Sequence, residues 1–270
     1  MRITSLAAVL LLPVFAAAAT VDGVPIHSTT HGTGPKTLIF VHGWTCDETS
    51  WREQVPAFEK GYRMITLDLP GHGQSGAPKD AALSMVLFAR AVEAVRAEAG
   101  ADKVVLVGHS MGTPVIRHYA RLFADHVAAL VAVDGPLHFS GRPAGPITER
   151  LRGPNGMKNR EAMIRNMFSA ATTAGLQADI LKMMLAPPES TATQAMAAMF
   201  TPNNWTKEVM RFPVLAIFAD HSTENDPKYM KKIWPNSQGV EVPGTGHFLM
   251  MEKPAEFNRL LQSFLTKLGF

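Results

Sequence analysis

The stretch Lys103-Val-Val-Leu-Val-Gly108-His109-Ser110-Met111-Gly112 constrains this 270-residue chain more than any other. Residues 103–107 form an apolar run without polar alternation, as expected of a strand covered on both faces. Gly-x-Ser-x-Gly follows at once, and a helical pattern continues through Arg121. A strand that turns sharply into a helix at a serine pushes the hydroxyl out at the end of a sheet. The helix N-terminus brings amide hydrogens and partial positive charge to the same place. Pro114 is compatible, because the first helical turn leaves that amide unused. Ser110 is therefore the candidate nucleophile, with a plain turn serine as the alternative.

The same alternation recurs along the chain. Strand candidates cover residues 37–41, 63–67, 103–107, 129–133, 214–219 and 240–242, all short and rich in Val, Ile and Leu. Between them lie amphipathic stretches. Residues 83–99 place Leu83, Val86, Leu87 and Val95 on one side, with Gly100 as the C-terminal cap. A last helix opens at Pro254 and spaces Phe257, Leu260, Leu261, Phe264, Leu265 and Leu268 by three and four. Strand–helix alternation predicts a parallel sheet between helices.

Residues 137–211 break this rhythm with helical pattern and loops but no convincing strand. They are read as a helical cap inserted between two parts of a core, 20–136 and 212–270, because connections in compact domains are far shorter. The segment holds eight of the fifteen methionines, namely Met157, Met163, Met167, Met183, Met184, Met196, Met199 and Met210. Flexible thioethers suit an adaptable apolar lining, although plain packing is the expected role for most of them.

With 46% apolar and 18% charged residues, the chain is neither disordered nor fibrous. Its 26 Lys and Arg against 23 Asp and Glu are scattered, which predicts no nucleic-acid partner and no binding to a membrane surface. The lone Cys46 excludes an intramolecular disulfide and a cysteine metal cluster, and reads as a small apolar filler. Residues 1–19 combine Arg2, an apolar run over 6–15 and the small residues Ala16 to Ala19. That is the pattern of a secretory signal peptide, too short to span a bilayer. It predicts export to a bacterial periplasm or the medium, with no stable membrane insertion after cleavage.

A serine needs a base, and ten histidines compete for the role. His42 and His72 sit in Gly-flanked turns and read as loop ties. His118 and His126 fall on or near the helix after Ser110, and a sharp turn should send the His109 side chain away from its neighbour. His247, in Gly246-His247-Phe248 between the last strand and the last helix, stands where open parallel sheets place ligands, and is the candidate base. Phe40-Val41-His42-Gly43-Trp44 ends another strand. The amides of Trp44 and Met111 are the candidate donors for a developing oxyanion.

His42-Gly43-Trp44, Asp68-Leu-Pro-Gly71-His72-Gly73-Gln-Ser75, Gly108-His-Ser-Met-Gly112 and Gly246-His247-Phe248, in this order, resemble the α/β-hydrolase fold superfamily. They are most similar to its serine esterase and cofactor-free peroxidase-like branch. The resemblance runs from Val21 to the C-terminus and is weakest in the cap. It implies an α/β-hydrolase fold, a mostly parallel central sheet flanked by helices with the cap inserted after the sixth strand. It further implies Ser110 as nucleophile, His247 as base, Trp44 and Met111 as oxyanion hole, and a structural role for the 68–75 loop. Relatives that attack through a carboxylate, such as epoxide hydrolases, carry Asp at the elbow, where this chain has Ser110.

The acid departs from the family pattern. In Pro213-Val-Leu-Ala-Ile-Phe-Ala219-Asp220-His221-Ser222, Ala219 fills the usual Gly slot and Ser222 the usual acid slot. Asp220 serves if the loop is shortened. Asp134, at the end of the preceding strand, fills a second position known in the fold, and Asp226 is a distant third. Asp134 and Asp220 stay open at this point.

The expected activity is hydrolysis of a small-molecule carboxylic ester through an acyl-serine, with no metal and no organic cofactor. Phe139, Phe168, Phe200 and the methionines would shape an apolar pocket in the cap. Perhydrolysis, cleavage of another acyl or carbon–carbon bond, and a degenerate binding protein are the alternatives.

Overall fold

Seven strands form one sheet: β1 (Ser28–His31), β2 (Thr37–Val41), β3 (Arg63–Leu67), β4 (Val104–His109), β5 (Val127–Val133), β6 (Val214–Ala219) and β7 (Ser237–Val242). They come from a computed structural model that describes residues 19–138, 144–201 and 204–270. The signal peptide expected over 1–19 falls outside the described residues except for Ala19, as does Phe139.

The strand order is β1-β3-β2-β4-β5-β6-β7. Only the edge strand β1 runs antiparallel to its neighbour; the other pairs are parallel. Every residue of β2, β4 and β6 is buried, which explains their unbroken apolar runs. The edges differ. β1 reads Ser-Thr-Thr-His and carries no apolar signal that would mark it as a strand. β7 begins three residues before 240, at Ser237-Gln-Gly, where the chain is polar because most of the strand faces outward.

The order reverses between β2 and β4, since the chain first builds outward to β3 and then crosses back. In open parallel sheets such a switch point opens a crevice at the carboxyl ends of the strands. Here the two strand ends at the crevice are the Gly43-Trp44 turn and Ser110. The register pairs Val41 with Gly108, His109 with Val133, Val133 with Ile217 and Ala219 with Val242. Val41 also pairs with Leu67 of β3, so the loops after all six parallel strands emerge at one edge.

The helix after the Asp68–Ser75 loop spans Met85–Glu98, with Ser84 Oγ accepting from Leu87 N at 3.1 Å as its N-cap. Gly100 follows with φ +59°. Its buried face is Met85, Phe88, Val92 and Val95, a phase that turns Val86 outward at 45% exposure, contrary to its expected place on the apolar side. In the final helix, Pro254–Lys267, Phe257, Leu261, Phe264 and Leu265 are buried, while Leu260 and Leu268 pack at the margin.

Between β5 and β6 the chain passes through the helices Gly145–Arg150, Gly156–Arg165, Ala174–Leu185 and Glu189–Met199. This passage leaves after the fifth strand of the sheet, not the sixth. Residues Thr20–Val21 and Val24–Pro25 form a separate hairpin against the Met85–Glu98 helix instead of adding a strand. Met183, Met184, Met196, Met199 and Met210 are buried in the common core, whereas Met157 is 55% exposed. Among the described residues no helix is long and apolar enough to cross a membrane.

Candidate active site

Ser110 holds the backbone of the β4 turn in a left-handed conformation, φ +52°. The strain is local and is held by three bonds: Ser110 N to Val133 O (2.9 Å), Thr113 N to Ser110 O (2.9 Å) and Thr113 Oγ1 to Gly108 O (3.0 Å). The flanking glycines supply space more than rotation. A Cβ on Gly108 would lie 2.4 Å from Gly112 O, and one on Gly112 would lie 2.4 Å from Val41 O. The β2 turn packs directly on the serine, for a Cβ on Gly43 would come within 3.1 Å of Ser110 Cβ. Among the described residues, neither the Trp44 amide nor the Met111 amide is donated to a protein acceptor. Two unclaimed N–H groups beside a serine at a helix N-terminus can stabilise a developing oxyanion.

His247 and Asp134 meet across 113 residues of chain, with Nδ1 2.6 Å from Oδ2. The imidazole donates through Nδ1, which leaves Nε2 as the bare nitrogen. The other oxygen of Asp134 accepts from Ala219 N at 3.0 Å, and Asp134 N donates to Ile217 O at 2.8 Å. Burial pushes the Asp134 carboxyl up. Hydrogen bonds from His247, the Ser222 hydroxyl and the Ala219 amide, with the charge on His247, outweigh that and hold it below the usual carboxylate range. The His247 backbone is pinned to the inserted segment by N–H donation to Met167 O, in the turn after the Gly156–Arg165 helix, at 3.1 Å.

Asp220 is elsewhere. Its carboxylate accepts from Gly244 N at 2.7 Å and so fastens the turn leading to His247 without touching the ring. Ser222, in the usual acid slot, contributes a hydroxyl to Asp134 instead. Asp226 caps the Pro227–Ile233 helix through Tyr229 N and pairs with His138 at 3.2 Å. A polar cavity of about 480 Å³ lies behind the pair, bounded by Asp134, His247, Ser169, Ser222 and Glu224. Burial, and then the charge on Asp134, push the Glu224 carboxyl upward.

One histidine set aside on sequence takes a place here. The His109 ring is not thrown clear of the site; it lies 4.7 Å from the His247 ring and donates from Nε2 to His247 O at 2.8 Å. That contact spans 138 residues, and nothing local foretells it. Burial, then the nearby His247, lower its pKa to about 3, so the ring stays neutral. His42 is a loop tie, accepting from Leu69 N at 2.9 Å and donating to Gly43 O at 2.8 Å. His72 donates to Pro70 O at 3.1 Å, and His118 to Pro114 O at 2.9 Å. Asp68 knits its loop together by accepting from Glu48 N (2.7 Å) and Gln74 N (2.8 Å). Asp220, His221 and Glu241 are the one group among the described residues whose ligand atoms all fall within 4.8 Å of one another, at an exposed edge.

The residues from 36 to 164 match the family profile described as alpha/beta hydrolase fold. A thermophilic esterase from Thermogutta terrifontis, solved with malate bound, superposes with a TM-score of 0.83 at 25% identity, covering 93% of this chain and 97% of that one. A Haemophilus influenzae protein that carries an esterase/lipase name is 26% identical over 246 residues, 85% of this chain and 83% of its own. The bifunctional epoxide hydrolase 2 of Sus scrofa is 22% identical over 297 residues, 90% of this chain but only 53% of that enzyme. The fold is that of the α/β hydrolases, and the proteins this chain resembles include some of esterase name and some of epoxide hydrolase name.

Proposed function

We propose that this protein is an exported serine hydrolase that cleaves small-molecule carboxylic esters through an acyl-serine intermediate. The observation that carries the reading is the 2.6 Å contact between His247 Nδ1 and Asp134 Oδ2. A buried carboxylate on one imidazole nitrogen sets the other nitrogen free to act as a base. Serine at the elbow supports the ester reading over epoxide opening, which would call for a carboxylate nucleophile there.

In the proposed cycle, Ser110 Oγ attacks the ester carbonyl carbon while its proton passes to His247 Nε2. The carbonyl oxygen becomes an oxyanion facing the Trp44 and Met111 amides, each worth about 3 kcal/mol in the transition state. Collapse breaks the carbon–oxygen bond to the alcohol, which leaves with the proton from His247. Water then attacks the acyl-serine by the same route, and Ser110 departs reprotonated as the carboxylic acid is released. Asp134 orients the ring and stabilises the imidazolium without taking the proton. The proposed reaction calls for neither metal nor organic cofactor, and its proposed partner is a small-molecule ester.

A fluorophosphonate probe tests the assignment. Labelling is expected on Ser110 of the protein and absent in Ser110→Ala, together with turnover of p-nitrophenyl acetate. An unlabelled Ser110 would leave a binding protein on a hydrolase scaffold. Turnover that survives Ser110→Ala would move the chemistry to another group.

A further inference from the structure

Trp44 offers its backbone to the proposed oxyanion and its side chain to the inserted helices. The indole Nε1 donates to Ala192 O at 2.8 Å, reaching 148 residues along the chain into the Glu189–Met199 helix. Over the same ring, at 5.8 Å from its centroid, lies the guanidinium of Arg160. Arg160 is itself only 2% exposed. It donates from Nη1 to Pro187 O at 2.8 Å and from Nη2 to Met184 O, so it also gathers the end of the Ala174–Leu185 helix and the link to the next. Burial lowers its pKa to about 10, which leaves it a cation held by carbonyls and an aromatic face. On the far side, Cys46 Sγ reaches Trp44 O at 3.6 Å.

These contacts matter because the turn does not set itself. Thr45, the next residue, sits at φ +55°, a conformation that persists in a non-glycine residue only when its surroundings impose it. An amide at such a turn moves with whatever holds its flanks. Displacing or tilting a donor weakens the bond it can make to an oxyanion.

We propose that the Trp44 side chain is a positioning group through which the inserted helices set the geometry of the oxyanion hole, with Arg160 as its support. The inference rests on the ester-hydrolase reading above and adds a regulation of the same site. Movement of the 156–199 helices would loosen Trp44 and slow the chemistry without changing the nucleophile or the base.

Trp44→Phe keeps a ring in place and removes the indole donor. The expected result is a roughly tenfold fall in kcat for p-nitrophenyl acetate, the kinetic equivalent of one hydrogen bond. KM should stay within about twofold, and an arylboronic acid, which mimics the tetrahedral state, should bind weaker by the same factor as kcat. Arg160→Lys, a gentler change away from the reacting atoms, should move kcat and boronate affinity together by a smaller factor. Combined with Trp44→Phe, it should add less than its separate effect. A structural role alone would lower the melting temperature and leave kcat and boronate affinity untouched in both variants, and that result overturns the proposal. Should Trp44→Phe fail to fold, an unchanged kcat in Arg160→Lys would do the same. Failure of the underlying reading is a separate outcome, seen as no fluorophosphonate label on Ser110 of the unaltered protein.

Discussion

Two neighbouring strand ends at the carboxyl edge of the sheet each carry an aspartate, and the molecule treats them differently. At the end of β5, Asp134 is 4% exposed and is ringed by donors from His247, Ala219 and Ser222. At the end of β6, Asp220 lies half-buried beside His221, whose side chain is 93% exposed, and its bond goes to a backbone turn. A buried carboxylate is tolerated only when its lone pairs are met by donors, and a histidine is the donor that turns such a group to chemistry. Burial with a matched partner, more than position along the family pattern, distinguishes the two.

The comparison breaks most directly on a pair of isosteric changes. Asp134→Asn should lower kcat for an ester by about 10⁴, because the amide favours the wrong tautomer of His247. Asp220→Asn should leave kcat within a small factor. Equal losses in the two variants, measured side by side on purified protein of matched circular dichroism, would erase the distinction drawn here.

A second break is in acid. Four of the described histidines are buried, His42, His72, His109 and His118. Burial is the first cause that lowers each, with His72 and His109 brought to about 3. A buried histidine with a lowered value leaves stability intact above the unfolded value of 6.5. Below it, the unfolded chain gains protons that the folded chain refuses. Stability is then lost down to the folded value, at about 1.4 kcal/mol per pH unit for each such ring. Asp134 acts with the same sign lower down, its contribution present above the ordinary carboxylate value and lost as pH falls through its lowered one. Urea titrations at pH 7.5 and pH 5.0 should differ by several kcal/mol. A flat profile between them would mean that these histidines are hydrated.

How far the residues announced this arrangement depends on distance along the chain. The spans 37–41, 63–67 and 214–219 coincide with β2, β3 and β6, because a strand buried on both faces writes its burial into consecutive side chains. The serine turn was legible for the same reason, since its strand, glycines and helix are adjacent. The edge strand β1 was not, as Ser-Thr-Thr-His gains its place from pairing with β3 rather than from apolar patterning. Nor was the partner of His247, because Asp134 and Asp220 are both aspartates just past a strand and differ only in what folds against them. His109 shows the limit most clearly. Its neighbour Ser110 drew attention to the turn, yet its bond to His247 O depends on a loop 138 residues away.

A milder change sharpens the open side of the comparison. Asp220→Asn keeps an acceptor for Gly244 N but loses the charge, so it should cost about 1 kcal/mol of stability. Chemical denaturation can read that difference while activity stays level. A loss several times larger would show that the β6 rim carries more of the fold than its exposure suggests.

The finest test uses backbone strain, which the turns after β4 and β6 share. Ser110 has φ +52° at the end of β4 and His221 has φ +53° in the loop after β6. For an L-residue this conformation costs about 1–2 kcal/mol, and glycine relieves it while losing roughly 0.5–1 kcal/mol to unfolded-chain entropy. Ser110→Gly and His221→Gly should therefore each stabilise the protein by about 0.5 kcal/mol. Their activities should part completely, with ester turnover abolished in the first and retained in the second. Strain kept at Ser110 would then be strain kept for chemistry, whereas at His221 it is a by-product of a tight turn. If Ser110→Gly were instead markedly destabilised, its side chain would be holding the turn together, and the hydroxyl would have a structural claim to its position as well as a chemical one.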